Sequence, residues 1–256
     1  MASASASGDG IARAAALVRA ARAVVVFTGA GISTESGIPD FRSPGGIWSR
    51  FDPLDFTYDR FISSAEARAR FWRMGRELGP VLRDAVPNAG HRAIAAAMAA
   101  GRVGWVVTQN IDGLHQKAGC APERVLELHG TAHRARCLDC EKEWTRDAVE
   151  AWLAAGVADP RCDACGGIVK PRTVAFGEPM PARETAAAFA QAGACDLLLT
   201  VGTSLQVYPA AELVPSAKAA GARLVIVNLE PTDYDGLADA VVRGKAGDVL
   251  PQILQV

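Results

Sequence analysis

Four of the six cysteines form two C-x-x-C pairs, Cys137 with Cys140 and Cys162 with Cys165. Two such pairs supply the four thiolates of a closed tetrahedral Zn²⁺ site. Because four protein ligands leave no coordination position for a substrate, we expect one structural zinc ion per chain. The alternative is a redox dithiol, although a redox centre does not need two pairs.

A histidine follows an apolar run at residues 124–128. A neutral imidazole that titrates near pH 7 is suited to act as a general base, and Gly130 follows His129 directly. His91 and His115 are expected to lie on helices and to form local hydrogen bonds. His129 is therefore the candidate catalytic residue.

Two polar or glycine-rich runs also follow apolar segments. In Gly29-Ala30-Gly31, glycines would let the backbone approach a pyrophosphate at a helix N-terminus. The next glycine is Gly37, so the G-x-G-x-x-G pattern is absent and a tight turn without a ligand remains the alternative. Residues 36–43, SGIPDFRS, favour a binding loop. Residues 108–115, TQNIDGLH, hold more polar groups than helix capping explains.

These motifs fit one arrangement of strands and helices. Short, continuously apolar runs, which are typical of strands buried on both faces of a parallel sheet, occupy residues 23–28, 103–108, 124–128, 196–201 and 223–228. Alanine-rich helical stretches lie at residues 11–22, 90–100, 182–192 and 210–220. This alternation predicts an α/β fold with a Rossmann-type doubly wound parallel sheet. Ligands of such sheets bind beyond the carboxyl ends of the strands, where the polar motifs lie.

Two segments interrupt the alternation of strands and helices. Residues 44–87 hold seven of the sixteen aromatic side chains and are predicted to be a helical insert. Residues 136–168 are predicted to be a zinc module. The two would together form a small domain. The large Rossmann-type domain would then comprise residues 11–43, 88–135 and 169–256, with residues 1–10 as a flexible tail.

Composition excludes several functions. The chain has 256 residues and a formal net charge of −1, which argues against a nucleic-acid binder driven by bulk charge. No apolar run approaches the roughly 20 residues of a membrane-spanning helix. The N-terminus lacks the basic start of a secretory signal, so a cytoplasmic location is expected. Neither membrane association nor direct nucleic-acid binding is predicted.

The ordered motifs resemble the sirtuins, which are NAD-dependent protein deacylases. The resemblance covers residues 24–250 and rests on GAGIS at 29–33, GIPDFR at 37–42, TQNID at 108–112, HG at 129–130, the two C-x-x-C pairs, FGE at 176–178 and GTS at 202–204. It implies a Rossmann-type domain beside a smaller zinc and helical domain. NAD, consumed as a co-substrate, and the acylated lysine of a protein or peptide would enter the cleft between the two domains.

The resemblance also implies roles for individual residues. The implied NAD-binding residues are Gly29, Ala30, Gly31, Ser33, Thr34, Asp40, Phe41, Arg42, Gln109, Asn110, Ile111, Asp112, Gly202, Thr203, Ser204, Asn228, Leu229, Glu230, Lys245 and Ala246. The implied substrate residues are Val174, Phe176, Gly177, Glu178, Val207 and Tyr208. Phe41, Val174, Phe176 and Val207 would form an apolar tunnel around the acyl-lysine.

The implied reaction removes an acetyl group from lysine and releases nicotinamide and O-acetyl-ADP-ribose. Asp112 would orient the nicotinamide carboxamide, and the acyl oxygen would attack the ribose as the glycosidic bond breaks. His129 would then remove a proton from a ribose hydroxyl. Two alternatives remain: a mono-ADP-ribosyltransferase that uses the same NAD site, and a zinc-containing binding module with an inert sheet domain.

Acyl preference can also be predicted from the resemblance. Sirtuins that prefer succinyl or malonyl lysine have a Tyr and, three residues later, an Arg in the helical insert. The matching positions here are Trp72 and Gly75, with Arg73 and Arg76 close by. We therefore expect a preference for acetyl over succinyl lysine.

Overall fold

The fold is known from a computed structural model that describes residues 8–41 and 43–255. The helices are α1 Gly8–Ala20, α2 Tyr58–Ser63, α3 Ala65–Asp84, α4 Ala89–Ala99, α5 Leu114–Lys117, α6 Arg146–Ala154, α7 Ala182–Ala194, α8 Leu213–Ala219 and α9 Ala246–Leu254. The strands are β1 Val24–Thr28, β2 Val103–Thr108, β3 Val125–Glu127, β4 Gly130–Cys137, β5 Glu143–Thr145, β6 Val169–Thr173, β7 Leu197–Val201, β8 Arg223–Val227 and β9 Ala240–Val242.

Six strands form a parallel sheet in the order β3-β2-β1-β7-β8-β9. The chain builds outward from β1 in one direction and from β7 in the other. The boundary between β1 and β7 is therefore the topological switch point, and the loops that leave these two strands diverge to open a crevice.

Burial explains why these segments form strands. All five residues of β1 and of β7 are buried, because helices cover both faces of the sheet. Helices α1, α4 and α9 pack on one face, and α7 and α8 pack on the other. The predicted doubly wound α/β fold is confirmed.

A second sheet is antiparallel and has the order β5-β4-β6. Trp72 of α3 packs on it together with Val149 and Leu153 of α6. A separate aromatic cluster joins Phe56, Phe61 and Phe71 in the insert.

Several predicted boundaries are wrong. Helix α1 begins at Gly8, so the tail predicted for residues 1–10 is helical at its end, and residues 1–7 lie outside the described part. The second sheet includes 130–135 and 169–173, which the sequence analysis placed in the large domain, because both segments pair with each other. Strand β9, which spans three residues, was not predicted.

Candidate active site

The loops after β1 and β7 touch at the switch point. The Gly31 amide donates a hydrogen bond to the Gly202 carbonyl at 2.8 Å. A Cβ on Gly31 would lie 2.8 Å from Gly202 Cα, and Gly202 has a φ of 59°. Only glycine permits this approach and this conformation without strain. The loop therefore exposes backbone at the point where a phosphate-bearing ligand of a doubly wound sheet binds.

The polar run after β2 is anchored to these loops. Asn110 is buried and its Nδ2 donates to the Gly29 carbonyl and to Ser33 Oγ, both at 3.1 Å. Gln109 Nε2 donates to Thr203 Oγ1 at 2.9 Å. Side chains from three strand ends are thus joined in one network.

The Asp112 carboxylate is fixed from two sides. Ser33 Oγ donates to one oxygen at 2.7 Å, and the Leu114 amide donates to the other at 2.9 Å. The backbone carbonyl of Asp112 accepts a bond from His133 Nε2 at 2.8 Å. The buried carboxylate is therefore already oriented before a ligand arrives.

His129 lies at the end of β3, as predicted. Its Nδ1 is 3.0 Å from the Gln109 carbonyl oxygen. Because a carbonyl only accepts, Nδ1 bears the proton in the neutral ring and Nε2 holds the lone pair. Burial lowers the pKa of His129, although the bond to Gln109 opposes this shift. The imidazole is thus neutral near pH 7 and available as a base.

The segment after β6 lies beside His129. The Val174 amide donates to the His129 carbonyl at 2.9 Å, and the Phe176 carbonyl accepts from the Tyr58 amide at 2.8 Å. The Phe176 ring lies 5.7 Å from that of Trp48. This segment therefore links the catalytic candidate to the aromatic insert.

At the far end of the crevice, α9 points its N-terminus at the site. The Gly247 amide in its first turn donates to Glu35 Oε2 at 2.7 Å. Asn228 after β8 bonds through Nδ2 to the Glu230 carbonyl at 2.8 Å. The Gly247–Glu35 bond connects the β1 loop with α9 on the other side of the switch point.

One cleft of about 550 Å³ brings the predicted site together. Among the described residues, every predicted catalytic, NAD-binding and substrate residue lines it. Arg42 lies outside the described residues. The individual roles of these residues remain predictions.

The four paired cysteines converge at the edge of the second sheet. Their sulfur atoms lie within 4.8 Å of one another, with Cys137 to Cys165 at 3.5 Å and Cys140 to Cys162 at 3.6 Å. A tetrahedron of Zn–S bonds of about 2.3 Å has edges of about 3.8 Å, whereas a disulfide bond is about 2.05 Å long. The cluster therefore fits Zn²⁺ bound by four thiolates.

Comparison with known proteins decides the family. Residues 29–209 match the Sir2 family. The chain belongs to the Sir2 family. Similar proteins include an NAD-dependent protein deacetylase of Thermodesulfovibrio yellowstonii, 47% identical over 94% of this chain and 92% of the relative. An NAD-dependent protein deacylase of Archaeoglobus fulgidus is also 47% identical, over 96% of each chain.

Solved Sir2 structures agree with this fold. One Sir2 enzyme superposes with a TM-score of 0.87 and 45% identity over 96% of this chain and 97% of the other. A Sir2 complex with a p53 peptide and NAD⁺ superposes with a TM-score of 0.84 and 37% identity, covering 94% and 95% of the two chains.

Helix α3 of this Sir2-family chain faces the cleft differently from the prediction. Phe71, Met74 and Leu78 line the cleft. Trp72 is instead buried against the second sheet, and a Cβ on Gly75 would lie 2.9 Å from Arg146 Nη2. Trp72 and Gly75, to which the sequence analysis assigned the acyl-facing positions, therefore do not line the cleft.

Other cleft residues were not predicted. Glu35 and Trp48 line the cleft, and His133 supports Asp112 from outside it. Glu35 directly precedes the predicted binding loop, so its position was a usable signal. Trp48 lies in the predicted helical insert, five residues beyond that loop. His133 lies in β4 and gave no such signal, because only the fold brings it to Asp112.

Two further histidines are buried behind the Asp112 loop. His91 on α4 and His115 on α5 are at most 1% exposed, and their rings lie 5.1 Å apart. His115 Nε2 bonds to Thr28 Oγ1 at 2.9 Å. Neither ring nitrogen of His91 has a hydrogen-bond partner among the described residues, so the predicted local hydrogen bond is wrong there.

These two rings predict acid sensitivity of the fold. Burial lowers the pKa of His91 to about 4 and that of His115 to about 3, from 6.5. Below pH 6.5 the unfolded chain binds protons that the folded chain does not, so stability is full above pH 6.5 and falls toward pH 4. Each such proton changes the free energy of unfolding by up to about 1.4 kcal/mol per pH unit.

Urea unfolding between pH 7.5 and pH 4.5 measures this dependence. In His91→Phe one titrating ring is lost, so the fall in unfolding free energy with acid should be shallower than in the wild type. Equal slopes for the two proteins would show that His91 is protonated in the folded state.

Within the described part of the chain, no helix is both long enough and apolar enough to cross a membrane.

Proposed function

We propose that this protein is an NAD-dependent protein-lysine deacetylase that releases nicotinamide and O-acetyl-ADP-ribose. The observation that supports this best is the neutral His129 in one cleft with the glycine loops after β1 and β7 and the fixed Asp112 carboxylate. The Sir2 relatives named as NAD-dependent deacetylases support the same activity. A Sir2 structure with a deacetylated peptide and 3'-O-acetyl ADP-ribose supports the same products.

The proposed NAD site extends across the switch point. The loops at Gly31 and Gly202 would receive the pyrophosphate, and Asn228 with the start of α9 would border the adenosine. Asn110 and Asp112 would hold the nicotinamide and its ribose, because their side chains are fixed by Ser33. A preoriented carboxylate lowers the entropic cost of aligning the carboxamide.

The proposed reaction uses His129 as the base. The acyl oxygen attacks the ribose carbon as the bond to nicotinamide breaks. His129 Nε2 then accepts a proton from a ribose hydroxyl, whose oxygen attacks the acyl carbon. The lysine leaves as the protonated amine, and water adds to the remaining cyclic cation to give O-acetyl-ADP-ribose. Because Nδ1 is held by the Gln109 carbonyl, the ring presents the nitrogen that can accept this proton.

The proposed peptide site lies between residues 174–178 and 204–208. Phe41, Phe176 and Tyr208 are 39%, 46% and 60% exposed at this part of the cleft. Exposed apolar side chains around a cleft are typical of a binding surface. They would line the path of the acyl-lysine stem toward His129.

Incubation with an acetylated peptide and NAD tests the function. Mass spectrometry should detect deacetylated peptide, nicotinamide and O-acetyl-ADP-ribose in equal amounts. ADP-ribosylated peptide without the O-acetyl product would instead indicate an ADP-ribosyltransferase. No product and no NAD binding by calorimetry would indicate a binding module.

Acetyl peptides should react more efficiently than succinyl peptides. A succinyl carboxylate would enter a cleft that α3 lines with Phe71, Met74 and Leu78. Burying a charge without a partner is costly, so kcat/KM is expected to be lower for succinyl by about 100-fold or more. The measurement compares kcat/KM for one peptide carrying either acyl group.

Two variants locate the source of this selectivity. Met74→Arg places a cation on the cleft-facing side of α3 and should raise succinyl activity. Arg76→Ala is the control, because Arg76 bonds to the Leu153 carbonyl at 3.4 Å and lies 3.6 Å from Glu150. The assignment of Arg76 to a position outside the acyl site would be refuted if the wild type reacted equally well with succinyl and acetyl peptides and Arg76→Ala lost the succinyl activity.

A cytoplasmic location and the absence of nucleic-acid partners remain predictions from the sequence. The formal net charge of −1 supports the second of them.

A further inference from the structure

A lysine is buried in the second sheet beside the proposed peptide site. The Lys170 side chain is 1% exposed, and Nζ lies 2.7 Å from Glu178 Oε2. Nζ also donates to the carbonyls of Pro171, at 3.3 Å, and Thr173. An ammonium group has three protons, and these three acceptors match them. All of them belong to residues 171–178.

The partner carboxylate closes a turn. Glu178 is 8% exposed, and its Oε2 accepts the Ala175 amide at 2.9 Å. The Glu178 amide in return donates to the Ala175 carbonyl at 3.0 Å, and Gly177 has a φ of 80°. The side chain therefore fixes both ends of the 175–178 turn, although it was predicted as a direct substrate contact.

This turn presents the proposed substrate surface. Phe176 projects from it and lines the cleft. The residue before the turn, Val174, donates its amide to the His129 carbonyl at 2.9 Å. The segment that Lys170 holds therefore forms one side of the proposed peptide site and is bonded directly to the backbone of His129, the proposed base.

The same ion pair lies next to the metal centre. In the antiparallel register of β4 and β6, Lys170 pairs with Arg136, and Cys137 pairs with Val169. Arg136 Nη2 lies 3.8 Å from Glu178 Oε1. Displacement of the metal ligand Cys137 would thus shift the strand positions that hold the turn.

We propose that Lys170 and Glu178 are positioning residues that hold residues 173–178 in the peptide-binding conformation and couple it to the metal centre. This inference rests on the proposed deacetylase function. Lys170 does not line the cleft, and the Glu178 carboxylate is engaged by Lys170 and the Ala175 amide. A buried ion pair is a poor source of stability compared with apolar packing. Its directional hydrogen bonds to backbone groups of one turn instead specify the conformation of that turn.

Three variants test the proposal. Lys170→Met breaks the pair, and Lys170→Met/Glu178→Leu removes both charges so that no unpaired charge remains buried. Lys142→Met is the control, because Lys142 pairs with Asp163 at 2.7 Å in the same module, with both side chains exposed. Each variant is measured for peptide KM, NAD affinity by calorimetry, zinc content and melting temperature.

We expect peptide KM to rise by about 10- to 100-fold in Lys170→Met. Zinc content and NAD affinity should remain near wild type. The double variant should recover melting temperature but keep the raised KM, because it restores no hydrogen bonds to the turn. A purely structural pair would give wild-type KM in the folded double variant, and that result would overturn the proposal.

Hydrogen exchange provides a readout that does not need the reaction. The amides of residues 172–178 should exchange faster in the double variant than in the wild type or Lys142→Met. Unchanged exchange would overturn the proposal. If the wild type does not deacetylate the peptide, only the proposed function is contradicted. Hydrogen exchange would still show whether Lys170 and Glu178 hold the conformation of the turn.

Discussion

His129→Ala should lower deacetylation by a factor of about 10²–10⁴ while NAD binds with near-wild-type affinity. The imidazole is the proposed base, and its Nδ1 is held 3.0 Å from the Gln109 carbonyl. Asn110 and Asp112 are held by Ser33 and not by His129, so the nicotinamide side of the site should survive. Steady-state kinetics on acetyl peptide and calorimetry with NAD measure the two effects.

His129→Asn is the matched variant. Its amide nitrogen takes the position of Nδ1 and can still donate to the Gln109 carbonyl, but the side chain cannot accept a proton as a base, so the variant should be as inactive as His129→Ala. In the wild type, kcat/KM should fall with acid once His129 is protonated. The inflection is expected below pH 6.5, because burial lowers the pKa of His129. Near-normal turnover by either variant would show that His129 is not the base.

The sequence predicted the sheet and the edge where the cleft lies. Strands such as β7 are buried on both faces and therefore read as continuous apolar runs. The carboxyl ends of parallel strands meet at one edge, so the sequence alone places His129 and Asn110 together. Strand pairs in the second sheet were missed, because β5 has only three residues and alternates in exposure.

Contacts between distant segments were the part that could not be predicted. The rotation of α3 depends on Arg146, whose guanidinium lies 5.2 Å from the Trp72 ring. Helical periodicity alone cannot show which side of α3 meets that partner. The internal role of Glu178 likewise depends on a lysine whose burial follows from the pairing of β4 with β6.

Cys137→Ala should release the metal and lower both folding yield and melting temperature. Cys137 is buried at the end of β4, with its sulfur 3.5 Å from that of Cys165. Loss of one thiolate opens the coordination sphere, and the binding free energy of structural zinc is folding free energy. Metal analysis of the purified protein and thermal unfolding measure these effects.

Activity should be lost together with the metal, although no cysteine of the cluster lines the cleft. Strand β4 begins at Gly130, directly after His129, and ends at Cys137, so disorder at the metal would spread toward the base. Cys120→Ser and Cys195→Ser are the controls and should retain the metal and the activity, since neither thiol belongs to the cluster. Unchanged activity and melting temperature after complete removal of zinc by a chelator would show that the cluster does not stabilise the fold.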